Sequence, residues 1–264
     1  ADNVQSVFVA DLDGDGDNDL ISASYDDNTI AWHENDGSNN PVFTSTDITT
    51  SADGAWSVFA ADMDNDGDMD IISGSYEDDT ISWHENDGAT DPSFTTRQIT
   101  NIADGVWSVF AADIDSDGDM DLISASRFDN TIAWFENDGL ADPLFTRIDI
   151  DTSTDAPSSV YVADMDGDGD MDIVSASRTD DKIAWFENDG AFDPSFSITV
   201  IATSADNPRN IYLADMDNDG DMDIVSASAN DDTIAWYENN GASDPTFTAS
   251  DIATDADLVN GVFV

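Results

Sequence analysis

The chain has 264 residues, 40% of them hydrophobic, with 7 Trp and 13 Phe and no Cys; 59 acidic residues stand against 6 basic ones, a formal net charge of −53. The aromatic content excludes a disordered acidic tail. The shortage of Lys and Arg excludes binding to DNA, RNA or anionic lipid, and the lack of Cys excludes disulfides, thiolate metal sites and cysteine nucleophiles.

Taken in chain order, the first unusual element is "DLDGDGDND", Asp11 to Asp19, with five aspartates in nine residues. It returns as "DMDNDGDMD" from Asp62, "DIDSDGDMD" from Asp113, "DMDGDGDMD" from Asp164 and "DMDNDGDMD" from Asp215, always 51 residues on. Between 52–102 and 103–153, about 32 of 51 positions are identical. A fixed period of this size predicts a repeat architecture. The repeats are 1–51, 52–102, 103–153, 154–204 and 205–255, and 256–264 starts a sixth.

Within the second repeat, "WSVFAAD" (Trp56–Asp62) alternates large and small residues and predicts a first buried strand. The acidic loop follows it. "DIISGS" (Asp70–Ser75) predicts a second strand and "YEDD" a tight polar turn. "TISWHEN" (Thr80–Asn86) predicts a third strand, "NDG" a hairpin-type turn, and "SFTTRQIT" (Ser93–Thr100) a fourth strand. No segment carries a 3.6-residue period. The expectation is an all-β chain, a β-propeller of five four-stranded blades in a single repeat domain. Blade stacking accounts for one Trp in each third strand (Trp32, Trp83, Trp134, Trp185 and Trp236) as core between blades, in preference to a row of sugar-stacking platforms.

The acidic loop reads D-x-D-x-D-G-D-x-D. Alternate carboxylates at positions 1, 3 and 5 converge if the chain curls, and the glycine at position 6 (Gly16, Gly67, Gly118, Gly169, Gly220) permits the curl. A carbonyl at position 7 and a carboxylate at position 9 would complete an all-oxygen cage, which suits Ca²⁺ better than Mg²⁺ or zinc. Helix–loop–helix calcium sites place Glu at position 12, where this chain has Ser22, Ser73, Ser124, Ser175 and Ser226.

The stretch "VFVADLDGDGDNDLISAS…IAWHENDG…F" resembles the FG-GAP/VCBS-type repeat of integrin α-subunit propellers and many secreted bacterial proteins. The likeness runs through all five repeats, although "WSVFAAD" stands where the literal FG…GAP signature would be. The resemblance implies calcium held by the side chains at positions 1, 3, 5 and 9 and the main chain at 7, about five ions per chain. In this sequence those are Asp11, Asp13, Asp15, Asp17 and Asp19; Asp62, Asp64, Asp66, Asp68 and Asp70; and Asp113, Asp115, Asp117, Asp119 and Asp121. The fourth and fifth sets are Asp164, Asp166, Asp168, Asp170 and Asp172, and Asp215, Asp217, Asp219, Asp221 and Asp223. It does not extend to integrin-like ligand recognition.

For function, the expectation is a secreted or cell-surface, calcium-stabilised structural or adhesion module, with itself, a cell-surface protein or a glycan as partner. A calcium-dependent lectin is the alternative, with Tyr25, Tyr76, Phe128, Trp56 and Trp107 lining sugar pockets. An enzyme is disfavoured, because catalysis needs a unique, asymmetric group of residues. The only two histidines, His33 and His84, occupy equivalent positions that become Phe135, Phe186 and Tyr237 in later repeats. No apolar run approaches a membrane span. The lack of an initiator Met and of a signal peptide predicts a mature or partial form. Because "ADLVNGVFV" (Ala256–Val264) resembles "ADNVQSVFV" (Ala1–Val9), the chain carries a surplus first strand, which predicts head-to-tail self-association through the ends.

Overall fold

Each 51-residue repeat folds into one antiparallel four-stranded sheet whose strands lie side by side in chain order. In a computed structural model, which describes residues 1–264, the first sheet is built from Val4–Ala10, Asp19–Ser24, Thr29–Asn35 and Phe43–Thr49. The predicted second strand of the second repeat is found as Asp70–Ser75, and the third and fourth as Ile81–Asn86 and Phe94–Thr100, within one residue of the sequence reading. The chain is all-β, with five propeller-type blades, and no helix is long and apolar enough to cross a membrane.

The strands form where β-branched and aromatic residues alternate, and burial follows position in the blade. The second strand is buried end to end in four of the blades, as in Asp70–Ser75 and Asp172–Ser177, because it has a strand on each side and is covered on both faces. The fourth strand is mostly exposed in the first, fourth and fifth blades and mostly half-buried in the second and third. A bulge near the start of the first strand recurs, between Val4 and Ser6 and between Pro157 and Ser159.

The chain divides into two compact units: residues 1–111, 119–129 and 133–149, and residues 112–118, 130–132 and 150–264. In the first, one apolar cluster joins Ile21, Ile30 and Trp32 to Val58 and Ile71, and a second joins Ile72, Ile81 and Trp83 to Val109, Leu122 and Phe135. In the second, Val174, Ile183 and Trp185 pack with Ile211, Leu213 and Ile224. The expectation for the tryptophans holds for Trp32, Trp83 and Trp185, each buried in a cluster that joins neighbouring sheets; Trp134 is buried too, while Trp236, in the last blade, is half-buried.

Polar links tie successive blades at fixed register. The residue at the tip of the second hairpin takes a left-handed conformation and accepts a backbone N–H from the next blade. Asn28 Oδ1 accepts from Gly54 (3.0 Å), Asp79 Oδ1 from Gly105 (3.0 Å) and Asp181 Oδ1 from Asn207 (3.0 Å). Residues 256–264 form no strand. They nevertheless continue this pattern on the fifth blade: Leu258 N donates to Asp232 Oδ1 (3.1 Å), Val262 N to Asn210 Oδ1 (3.0 Å), and Phe263 meets Tyr212 at 4.9 Å between ring centroids. The segment sits on the fifth blade where a next first strand would lie, but the expected surplus strand is not formed there.

Candidate metal centres

The acidic loop joins the first and second strands, and its own backbone donors hold the curl. Gly16 N donates to Asp11 Oδ2 (3.0 Å) and Asp17 N to Asp15 Oδ1 (2.9 Å). The same closing bond to the first aspartate recurs from Gly67, Gly118, Gly169 and Gly220 at 3.0–3.1 Å. These glycines have φ of 94° to 103°, a region that a side chain disfavours. Position 4 is left-handed too, which explains why it holds only Gly, Asn or Ser (Gly14, Asn65, Ser116, Gly167, Asn218).

The curl converges the carboxylates as the spacing predicts. One oxygen from each of Asp11, Asp13 and Asp15 lies within 4.8 Å of the others, and so do those of Asp62, Asp64 and Asp66; Asp113, Asp115 and Asp117; and Asp215, Asp217 and Asp219. In the fourth repeat the trio is Asp164, Asp166 and Asp172, with position 9 in place of position 5. Position 7 turns its carboxylate away: Asp17 Oδ2 lies 1.9 Å from where a Cβ on Gly37 would be, and Asp68, Asp170 and Asp221 rest likewise on Gly88, Gly190 and Gly241. Only its main chain is thus left for the role the sequence assigns it.

Position 9 is the root of the loop. Asp19, Asp70, Asp121, Asp172 and Asp223 are each 1% exposed. Asp70 Oδ1 accepts from Asn86 N (2.8 Å) and its Oδ2 from Met63 N (3.1 Å). Asp19 accepts the matching pair from Asn35 and Leu12, and its Oδ2 also accepts the indole N–H of Trp32 (2.9 Å). Burial pushes Asp70 and Asp172 up to about 7, against the lowering effect of the N–H groups of Asn86 and Asn188. Burial, joined by neighbouring carboxylates, also raises Asp13, Asp64 and Asp166 at position 3. Carboxylates pressed this close repel by about 1–3.5 kcal/mol per pair at an effective dielectric between those of water and a protein surface.

The donor set fits a hard divalent cation. It is all oxygen and rich in carboxylate, and Asp11 Oδ1 is buried with no hydrogen-bond partner of its own. When bound, Ca²⁺ would supply neutralising charge, and the trio of each loop would hold it.

Sequence reasoning missed one residue of the centre. The asparagine of "ENDG" ("ENNG" in the fifth repeat) stitches every loop after the first to the preceding one: Asn86 Nδ2 donates to Met69 O (3.0 Å) in its own loop and to Leu12 O (2.8 Å) in the loop before, while its Oδ1 accepts from Gly88 N (3.1 Å). Asn137, Asn188 and Asn239 repeat the backward link at 2.7–2.8 Å. Its presence in all five repeats was the available signal.

The histidines lie in the sheets. His84 is fully buried between Ser73 Oγ and Thr96 Oγ1, each 2.9 Å away, and His33 bridges Ser22 and Ser45 at 2.9 and 2.7 Å. Burial depresses both, His84 to about 4.

The FG-GAP-like repeat family matches residues 11–73, 62–124, 113–175, 164–226 and 215–264. The chain belongs to this family. No curated protein sequence matches it. Among solved structures, this FG-GAP-like chain is similar to an Agrocybe aegerita lectin that recognises non-reducing terminal N-acetylglucosamine: TM-score 0.65 and 17% identity, over 97% of this chain and 68% of the lectin. It is similar to a periplasmic gluconolactonase of Pseudomonas aeruginosa, with TM-score 0.60 and 13% identity over 92% of this chain and 72% of that one. It is similar also to the V. cholerae biofilm matrix protein Bap1, with TM-score 0.52 and 17% identity over 94% of this chain and 39% of that one. At these identities the likeness establishes the fold.

Proposed function

We propose that this FG-GAP-like chain is a calcium-stabilised extracellular scaffold or adhesion module without catalytic activity. The observation that carries this reading is the recurrence of one converged carboxylate trio in each of five repeats, at the same point of every blade. Extracellular calcium modules bind at about 10⁻⁴–10⁻³ M, so the cytosolic level would leave such loops bare and self-repelling. Both histidines are taken up in strand-to-strand bonds, which supports a non-enzymatic role. The experiment is a thermal melt of the full chain in millimolar calcium and in chelator, both at low salt. Stability should fall steeply in chelator and recover in part at high salt; an equal melting temperature in both would reject the reading.

Self-association through the ends belongs to the same proposal. Val7 is 56% exposed, whereas its equivalents Val58, Val109, Val160 and Ile211 are 1–4% exposed. At the other end, Ile234 and Trp236 are only half-buried. Each face is of the kind that packs on the other within each unit, so a second copy supplies what each end lacks. Deleting Leu258–Val264 should change the mass seen by light scattering in millimolar calcium; identical monomeric masses for both forms would remove self-association from the account.

A further inference from the structure

The asparagine that links the acidic loops is placed to do more than hold them. Asn239 is 1% exposed and uses its whole amide. Its Nδ2 donates to Met165 O (2.7 Å), at position 2 of the fourth loop, and to Met222 O (3.0 Å), at position 8 of the fifth, while its Oδ1 accepts from Gly241 N (3.1 Å). The two carbonyls belong to the peptide groups that lead into Asp166 and Asp223. One side chain thus grips the backbone beside a candidate ligand of each loop. The backbone N–H of Asn239 donates to Asp223 Oδ1 itself (2.8 Å).

The same clamp recurs. Asn86 holds Leu12 O, before Asp13, and Met69 O, before Asp70, and its N–H donates to Asp70 Oδ1 (2.8 Å). Asn137 holds Met63 O and Met120 O, at 2.8 and 2.9 Å, and Asn188 holds Ile114 O and Met171 O, at 2.8 and 3.1 Å. In each case position 3 of one loop is joined to position 9 of the next. The fourth loop is gripped at both places, by Asn239 beside Asp166 and by Asn188 beside Asp172, and both aspartates belong to its converged trio. Asn35, in the first repeat, is half-buried, and its Nδ2 bonds only Asn18 O in its own loop (3.0 Å).

This arrangement has a thermodynamic consequence. The carboxylates of a bare loop repel one another, and those of a loaded loop are drawn together, so the backbone before positions 3 and 9 is better ordered in the loaded state. A buried asparagine with both Nδ2 hydrogens engaged cannot let one carbonyl move without leaving a donor unsatisfied. The order of one loop is therefore shared with its neighbour, whose own ion meets backbone already in place. Charge opposes this, because an ion in one loop weakens the negative field at the next. That effect is long-range, and salt screens it over about 8 Å at 0.15 M.

We propose that these asparagines couple neighbouring calcium loops, so that an ion in one loop raises the affinity of the next. The inference rests on the calcium reading above and adds a linkage between its sites, with Asn239 as the positioning residue for the fourth and fifth loops. The linkage is reciprocal, and its expected size is about fivefold or more in affinity.

The test is a calcium titration of the full chain at about 0.15 M salt. It is followed by the amide resonances of Gly169 and Gly16, each of which donates to the first aspartate of its own loop and so reports that loop. The fifth loop is disabled by Asp215→Asn together with Asp219→Asn, at positions that Asn239 does not touch. The two substitutions remove as much negative charge as a bound Ca²⁺ would neutralise. The field on the fourth loop is then that of the loaded chain, and only the ordering is lost. Affinity read at Gly169 should fall about fivefold or more, and affinity read at Gly16 should stay within about twofold. In Asn239→Ala, the same disabling should leave the Gly169 affinity unchanged. Circular dichroism checks the fold of each variant, and Asn239→Ser takes the place of Asn239→Ala if the latter does not fold. An unchanged Gly169 affinity when the fifth loop is disabled, or a fall that persists without Asn239, would overturn the coupling and leave the calcium reading standing. No titration at either glycine in the unaltered chain would end both.

Discussion

Acidification should weaken the fold through His84, and the substitution that reveals this is already present in the chain. His84 is buried as the neutral ring between Ser73 and Thr96, and burial lowers it to about 4 from an ordinary 6.5. The unfolded chain therefore takes up a proton first as pH falls. Stability is whole above about pH 7.5 and is lost progressively between 6.5 and 4. A depression of this size corresponds to about 2 kcal/mol lost at pH 5 and about 3 kcal/mol once pH is below 4. His84→Phe places there the residue found at Phe135 and Phe186, where the facing Ser124 and Ser175 hydroxyls have no hydrogen-bond partner. The variant pays its own cost at pH 7 for the bonds it loses, and that cost cancels when each protein is compared with itself. Urea unfolding at pH 7 and pH 5, in fixed excess calcium, gives the two differences. Carboxylate protonation acts on both proteins alike, so wild type should lose about 2 kcal/mol more than His84→Phe. Equal losses would refute the argument that burial holds this ring neutral.

Three further outcomes follow from the geometry. Asn86→Ala removes one bond to the preceding loop and two within its own blade, and chemical denaturation should show a loss of about 2–4 kcal/mol. Gly169→Ala meets nothing within 4 Å, so its cost of about 1–3 kcal/mol is backbone strain at φ 101°, and it should weaken the fourth calcium site more than any other in a calcium titration. Trp134→Ala should cost about 3–5 kcal/mol and Trp236→Ala clearly less, because the first is fully buried and the second is half-exposed; comparing their urea midpoints checks this.

Much of the fold could be read from the sequence because the repeat supplies five independent readings of each element. The strand Asp70–Ser75 is legible in its run of apolar and small residues, and the five tryptophans declare themselves as core by recurring at one register. The carboxylates at positions 1, 3 and 5 are legible because alternation and a glycine dictate their convergence. The buried role of Asp70 was less visible, since nothing local separates an aspartate that roots a loop from one that faces a cation. The role of Asn86 depends on a carbonyl 74 residues away, a pairing that exists only once two blades stack. The substitution of Asp172 for position 5 in the fourth trio likewise follows from small differences in loop conformation that identical spacing does not encode.

The central claim is that each acidic loop holds a calcium ion that the folded chain requires. A ligand bound only by the folded state adds about 2.7 kcal/mol at a hundredfold excess over Kd, so five independent sites would add on the order of 13 kcal/mol, as much as the whole stability of an ordinary domain. The most direct measurement is the number of calcium ions retained per chain after equilibrium dialysis of the purified protein against millimolar calcium, read by elemental analysis. The account predicts about five, one for each converged trio. Two or fewer would contradict it.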